Sequence, residues 1–168
     1  ELGIKVIYAP GSTTTAVAEH AMMLMLSLAR RVVTLDNAVK AGNWAVRNGY
    51  TGIELAGKTL GIIGLGDIGK RTAQLASAFG MKVIYWNRSP IAGWQGAVSL
   101  DELMHQSDVI SLSVALAAET RHLINAERLA QMKGGALIIN TARGGLVDQV
   151  ALKAALLTAM SSRPNLTT

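Results

Sequence analysis

The sequence has no cysteine, only three prolines and few aromatic residues. The absence of cysteine excludes disulfide bonds and thiol catalysis, but it does not fix the cellular compartment. Aromatic residues make up 4% of the chain, and the lysines and arginines behind its net charge of +5 are scattered. Because neither a basic run nor a stacking motif is present, we expect no nucleic-acid binding. The positive charge instead suits an anionic cofactor and an acidic substrate.

Long hydrophobic runs are also absent. The longest, residues 21–29, is far shorter than the roughly 20 residues of a membrane span and contains Ser27. No signal-peptide pattern opens the sequence, so we expect a cytoplasmic protein without a membrane segment. A chain of 168 residues is enough for one domain with a core. Half of the residues are hydrophobic and the mean hydropathy is +0.31, which suggests that some apolar surface meets a partner.

The strongest pattern lies in residues 58–80, KTLGIIGLGDIGKRTAQLASAFG. An apolar run predicts a buried parallel strand, and the helical spacing that follows predicts a helix ending at Gly80. Between them stands a G-x-G-x-x-G sequence. Gly64 would allow the tight turn, Gly66 would let a diphosphate approach the backbone, and Gly69 would let the helix pack on its strand. We therefore predict dinucleotide binding at the start of this helix rather than a purely structural turn.

Strand and helix patterns alternate from Lys58 onward, which predicts an α/β fold with a Rossmann-like doubly wound parallel sheet. Further strands are predicted at residues 81–86, 97–98, 108–114 and 136–140, with helices starting near Ser99, Asn125 and Asp148. Upstream, residues 3–9 are predicted as a strand, and Trp44 as the anchor of a surface connection over residues 41–57.

A long helix is predicted from Ala16 through Arg31 and at most to Lys40. Residues 21–26 are apolar on every side of this helix, so one core face cannot account for them. This pattern indicates a subunit interface, and we expect a homodimer.

Ligands of a doubly wound sheet lie beyond the carboxyl ends of its strands. Asn87 stands where the adenosine ribose is expected, at a position where an acid would accept hydrogen bonds from the 2′-hydroxyl and repel a 2′-phosphate. Neutral Asn87, followed by Arg88 and Ser89, slightly favours NADP(H) over NAD(H), because Arg88 could pair with the phosphate. If Arg88 points to solvent, NAD(H) is the cofactor.

Arg143 directly follows an apolar strand in the segment Asn140-Thr141-Ala142-Arg143-Gly144-Gly145. The flanking glycines leave its guanidinium uncovered. A guanidinium group that is always charged and fixed at a strand end suits a substrate carboxylate and could polarise an adjacent carbonyl. We therefore predict a substrate-binding role for Arg143 rather than that of an ordinary surface residue.

Together, the segments TTAVAEH, ELAGKTLGIIGLGDIGK, FGMKVI, SLDELMHQSDVISL, ETRHLIN and INTARGGLVD resemble the D-2-hydroxyacid dehydrogenase family over about residues 2 to 157. The resemblance implies a nicotinamide-dependent interconversion of a small 2-keto acid and a D-2-hydroxy acid, on a domain that dimerises through its long early helix. It also implies that Arg143 is the catalytic arginine. The predicted cofactor-binding residues are Gly64, Gly66, Asp67, Ile68, Gly69, Asn87, Arg88, Ser89, Val114, Ala115, Thr120, Thr141 and Ala142; no metal site is predicted.

The sequence departs from the family pattern in several places. Ala115 stands where the family usually has proline, Ser113 where it often has histidine, and Asn87 where it usually has an acid. The catalytic glutamate and histidine that complete the family's site have no counterpart here, since His20, His105 and His122 fall outside that motif.

The tail offers an explanation for the missing pair. We expect residues 1–158 to form an NAD(P)-binding domain, and residues 159–168 resemble the segment before the family's catalytic histidine. The segment between the two is absent, with a junction near residues 159–161. The chain is then a fragment of a two-domain enzyme that binds cofactor and turns over little. A dinucleotide-sensing interaction module of the same architecture is the alternative.

Overall fold

A four-stranded parallel sheet is the framework of the chain, in a computed structural model that describes residues 3–5 and 7–161. Its strands run in the order β2-β1-β3-β4, and they are β1 (Thr59–Ile63), β2 (Lys82–Trp86), β3 (Val109–Leu112) and β4 (Leu137–Asn140). The helices are α1 (Thr14–Ala29), α2 (Val32–Lys40), α3 (Asp67–Ala78), α4 (Leu100–Gln106), α5 (Ala126–Gln131) and α6 (Gln149–Ser161). The predicted α/β fold with a parallel sheet is confirmed.

Each face of the sheet buries a separate apolar cluster. On one face, Met25 of α1 and Ala73 of α3 pack against Ile62 of β1. On the other face, Leu103 of α4 and Leu129 of α5 belong to the cluster that covers β3 and the far side of β1. Burial on both faces explains why the strands are continuous apolar runs rather than alternating patterns.

The strand order reverses between β1 and β3. After β1 the chain pairs β2 on one side, and β3 later pairs on the other side of β1. The carboxyl ends of β1 and β3 therefore border a crevice of the kind where ligands bind in open α/β sheets. Beyond β2, the predicted strand at residues 97–98 is reduced to a single parallel bridge between Ala97 and Tyr85.

The first helix begins and ends two residues earlier than predicted, and a second helix follows where a continuation to Lys40 was left open. α1 ends at Ala29, and Arg31 takes a left-handed conformation with φ of 48° before α2 begins. The break is stabilised by contacts from a distant segment: the Tyr50 hydroxyl donates to the Arg30 carbonyl at 2.7 Å, and the Ile53 amide donates to the Ala29 carbonyl at 2.8 Å. These bonds satisfy carbonyls that a helix end leaves free.

Two other expectations need correction. No strand forms in residues 3–5 and 7–9, because they have no partner in the sheet, and Tyr8 is 80% exposed. Trp44, in a 3-10 helix (Trp44–Gly49), is 66% exposed and anchors nothing, whereas Tyr50 makes the contact to Arg30. α6 extends to Ser161, and the domain boundary predicted at residue 158 stays a prediction. The rest of the predicted tail, residues 162–168, lies outside the described residues.

Candidate functional site

The three glycines after β1 do three different things. Gly64 has φ of 97°, and a Cβ added there would lie 2.5 Å from Val114 Cγ1 and 2.8 Å from the Ser113 carbonyl oxygen. A Cβ on Gly69 would collide with the carbonyl oxygen of Gly64. At Gly66, by contrast, an added Cβ would meet nothing within 4 Å. Two glycines therefore bring β1, β3 and α3 together, while Gly66 leaves open space above the turn.

That open space lies at the start of α3. Gly66 is the N-cap residue, and no side chain caps the helix. The N–H groups of Asp67, Ile68 and Gly69 have no acceptor within the helix because they occupy its first turn. Bare amides and the positive end of the helix dipole favour an anion here. The turn therefore fits the diphosphate of a dinucleotide.

Asn87 ties the turn after β1 to the turn after β2. Its Oδ1 accepts a hydrogen bond from the Leu65 amide at 3.4 Å, and its Nδ2 donates to the Ser89 carbonyl at 3.0 Å. Arg88 and Ser89 are exposed beside it. Among the ion pairs of the described residues, none involves Arg88. Its guanidinium is thus available at the position expected for the ribose.

The loop after β3 carries Val114, Ala115 and Thr120. Val114 reaches over the glycine turn, as its approach to Gly64 shows, and Ala115 is exposed. Thr120 is 9% exposed, and its hydroxyl donates to the Ala115 carbonyl at 2.8 Å and accepts from the Ala117 amide at 2.7 Å. Its hydroxyl therefore holds the shape of the loop, and its direct contact with a cofactor stays a prediction.

Arg143 lies in the loop after β4, where Thr141 and Ala142 are half-buried and Arg143 itself is exposed. Its Nη1 donates to the Ala142 carbonyl at 2.9 Å. Sequence reasoning missed Asn140, whose Oδ1 accepts from the Ala142 amide and whose Nδ2 donates to the Arg143 carbonyl, both at 3.0 Å. The position of Asn140 in the sequence could have predicted this role, because an asparagine at the end of a strand often forms hydrogen bonds with the backbone of the turn that follows.

The loops after β3 and β4 touch each other. A Cβ added to Gly145 would lie 3.1 Å from Leu116 Cδ2, so Leu116 packs directly on the Arg143 loop. The predicted residues thus come from the turns after all four strands, at one edge of the sheet. No cluster of three potential metal ligands occurs within residues 3–5 and 7–161.

An open parallel sheet with an uncapped, glycine-lined helix start at its reversal point defines a dinucleotide-binding domain of the Rossmann class. The family model described as D-isomer specific 2-hydroxyacid dehydrogenase, NAD binding domain, matches residues 22–161. The chain therefore belongs to the D-isomer specific 2-hydroxyacid dehydrogenase family and is an NAD-binding domain.

Named relatives agree with this assignment. The chain is 46% identical to a hydroxypyruvate reductase of Thermotoga maritima, over 90% of this chain and 50% of that protein. It is also 46% identical to a glyoxylate reductase of Aeropyrum pernix, over 92% of this chain and 50% of that protein. The crystal structure of a D-lactate dehydrogenase from Aquifex aeolicus with NAD and lactic acid matches with a TM-score of 0.85 and 42% identity, covering 94% of this chain and 48% of that one. The chain spans about half the length of the curated relatives it matches.

Proposed function

We propose that this chain is the cofactor-binding half of an oxidoreductase that interconverts a 2-keto acid and a D-2-hydroxy acid. The observation that carries the proposal is the position of Arg143. Its loop packs on the β3 loop, and Val114 of that loop reaches the glycine turn that fits a diphosphate. A cationic fork beside a dinucleotide site suits a small carboxylate substrate. The relatives described above, which carry the names of reductases and a dehydrogenase, support the enzyme over the sensing alternative.

Backbone amides and side chains of this chain have separate roles in the proposed reaction. The backbone amides at the start of α3 would hold the diphosphate at Gly66, and Val114 and Thr141 would line the cofactor side of the crevice. When bound, the nicotinamide supplies or accepts the hydride. Arg143 binds the substrate carboxylate and stabilises negative charge that develops on the carbonyl oxygen.

A binding experiment tests the role of Arg143. We expect glyoxylate, hydroxypyruvate or pyruvate to bind the NAD⁺-loaded chain, and Arg143→Lys to weaken binding about tenfold, because lysine keeps the charge but loses the two-pronged geometry. Arg121→Ala, which removes another exposed arginine, is the control. Tight NAD⁺ binding with no affinity for any of the three acids would favour the sensing module instead.

For the cofactor, we propose a preference for NADP(H). Asn87 is neutral and its amide is bonded to backbone groups, so it offers no charge to repel a 2′-phosphate, and no carboxylate of the described residues pairs with Arg88. We expect Arg88→Ala to weaken NADPH about tenfold and NADH less than twofold by fluorescence titration. Arg47→Ala, an exposed arginine of the 3-10 helix, controls for net charge. Equal losses for the two cofactors would contradict the preference.

We also propose that the chain forms a homodimer through the outer face of α1. Met23 and Leu28 are large apolar side chains exposed on this helix, although its other face is buried against α3 and the sheet. Sedimentation should show a dimer, and Leu28→Asp should dissociate it, whereas Val150→Asp on α6 should not. A monomeric parent chain would contradict this assembly. A cytoplasmic location stays a prediction; among the described residues, no helix has the length and apolar character to cross a membrane.

A further inference from the structure

The Asn140 side chain holds two backbone groups of the Arg143 loop at once. Its Oδ1 accepts from the Ala142 amide and its Nδ2 donates to the Arg143 carbonyl, each at 3.0 Å. A carboxamide can do this because its acceptor and its donor are fixed in one plane. Asn140 is itself anchored, since it ends β4 in register with Leu112 of β3. Asn140 thus links the end of β4 to the backbone of Ala142 and Arg143, beside the Leu146 amide, which also donates to the Arg143 carbonyl at 3.2 Å.

Little else in the loop fixes the direction of the guanidinium. The only hydrogen bond described for the Arg143 side chain runs from Nη1 to the Ala142 carbonyl, 2.9 Å away, and no carboxylate of the described residues pairs with it. Gly144 and Gly145 follow and bring no side chains to brace the loop. The direction of the guanidinium therefore depends on the peptide groups of Ala142 and Arg143, which Asn140 holds.

We propose that Asn140 is a positioning residue, which presets the Arg143 backbone so that the guanidinium meets the carboxylate of a 2-keto acid. The inference rests on the proposed function of Arg143. Asn140 does not touch the substrate; it keeps the loop in the binding geometry before the substrate arrives, so that binding does not have to order the loop.

Substitutions at residue 140 separate the two halves of this contact. Asn140→Ala removes both bonds, so that the Arg143 carbonyl keeps only its bond from the Leu146 amide among the described residues. Asn140→Asp keeps an oxygen for the Ala142 amide but places a second oxygen against the Arg143 carbonyl, and it adds a negative charge close to the guanidinium that competes with the substrate. Both variants should weaken carboxylate binding, and the aspartate more strongly. Asn125→Ala is a matched control, because Asn125 Oδ1 likewise accepts a backbone bond, from the Arg128 amide at 3.0 Å, at the start of α5.

The test is a titration of the chain with glyoxylate, monitored by the NMR signal of the Arg143 Nε–H group. NAD⁺ is the cofactor in this titration because it cannot reduce glyoxylate. We expect Asn140→Ala to raise the Kd for glyoxylate at least about fivefold, while the Kd for NAD⁺ changes less than twofold. The Ala142 amide should also exchange with solvent faster in this variant. Asn125→Ala should leave both dissociation constants unchanged, even if it lowers the melting temperature as much as Asn140→Ala does.

Two outcomes would overturn the inference in distinguishable ways. If the parent chain binds no glyoxylate, or Arg143→Lys binds it equally well, the proposed function fails and the positioning role fails with it. If Arg143→Lys loses glyoxylate but Asn140→Ala binds it as the parent does, the proposed function stands and only the role of Asn140 is wrong.

Discussion

Replacing Gly66 by alanine should remove cofactor binding from a protein that remains folded. An added Cβ at this position meets no atom within 4 Å, and the backbone φ of −76° is allowed for any residue. Alanine loses less backbone entropy on folding, a gain of about 0.4 to 1 kcal/mol. It is a poorer N-cap than glycine, by a comparable amount. We therefore expect the free energy of unfolding to change by less than about 1 kcal/mol.

The same methyl group should disrupt the diphosphate site. The amides of α3 act on an anion only if the anion can approach the backbone, and the space above Gly66 is where it would come closest. We expect the Kd for NADH to rise at least about tenfold, a loss of about 1.4 kcal/mol. Fluorescence titration measures the affinity and urea denaturation measures the stability of the same samples.

Gly69→Ala is the contrasting variant. Here the methyl group would collide with the Gly64 carbonyl oxygen, a backbone atom that cannot rotate away. Overpacking of this kind costs about 1 to 3 kcal/mol or more, beyond the helix-propensity gain of about 1 kcal/mol. The reasoning is refuted if Gly66→Ala binds NADH like the parent, or if it loses as much stability as Gly69→Ala.

Two further predictions concern stability alone. Ser111 is fully buried and its hydroxyl has no hydrogen-bond partner in the described part of the chain, so Ser111→Ala should raise the free energy of unfolding by about 1 kcal/mol. The Ser107 hydroxyl donates to the backbone, so Ser107→Ala should lower the free energy of unfolding by about 1 kcal/mol in urea denaturation. A loss of stability in both variants would reveal an unseen partner of Ser111. For Asp108, burial raises the pKa, but the hydrogen bond from the Thr59 amide and the charges of Lys133 and Lys58 lower it, and the net pKa is lowered. A lowered pKa stabilises the fold at a pH above the unfolded-state pKa, which is near 4, and this stabilisation is lost as the pH falls through the folded-state pKa. The free energy of unfolding of the parent should therefore exceed that of Asp108→Asn by about 0.5 to 1 kcal/mol at pH 6, and the difference should disappear below pH 4. A gap that is independent of pH would contradict the assignment.

The sequence was sufficient for the four strands of the sheet and for the glycine turn after β1, although it also predicted strands at residues 3–9 and 97–98 that did not form. Four apolar runs separated by helical patterns have one common arrangement, because strands buried on both faces need helices above and below. The glycine spacing after β1 predicted the tight turn into α3, since Gly64 and Gly69 each answer a local steric demand. The Ser99 cap of α4 was also readable: Ser99 Oγ accepts from the Glu102 amide at 3.2 Å, and Glu102 Oε2 accepts from the Ser99 amide at 2.9 Å.

Other features could not be read because they depend on residues far apart in the chain. The sequence left open whether the first helix stops near Arg31 or continues to Lys40, because the carbonyls freed at the break are satisfied by Tyr50 and Ile53, about twenty residues downstream. The bracing role of Asn87 was missed for the same reason, as its partner Leu65 lies on a different turn.

What the sequence determined by itself was whatever depends on spacing within a few residues: the strands, the caps and the order of turn and helix. Only the tertiary structure decided which polar side chains near the crevice hold its loops. Thr120 and Asn140 show the difference, because a hydroxyl or a carboxamide suits a ligand and a peptide group equally well. The folded backbone decides between them by placing a peptide group within hydrogen-bonding distance.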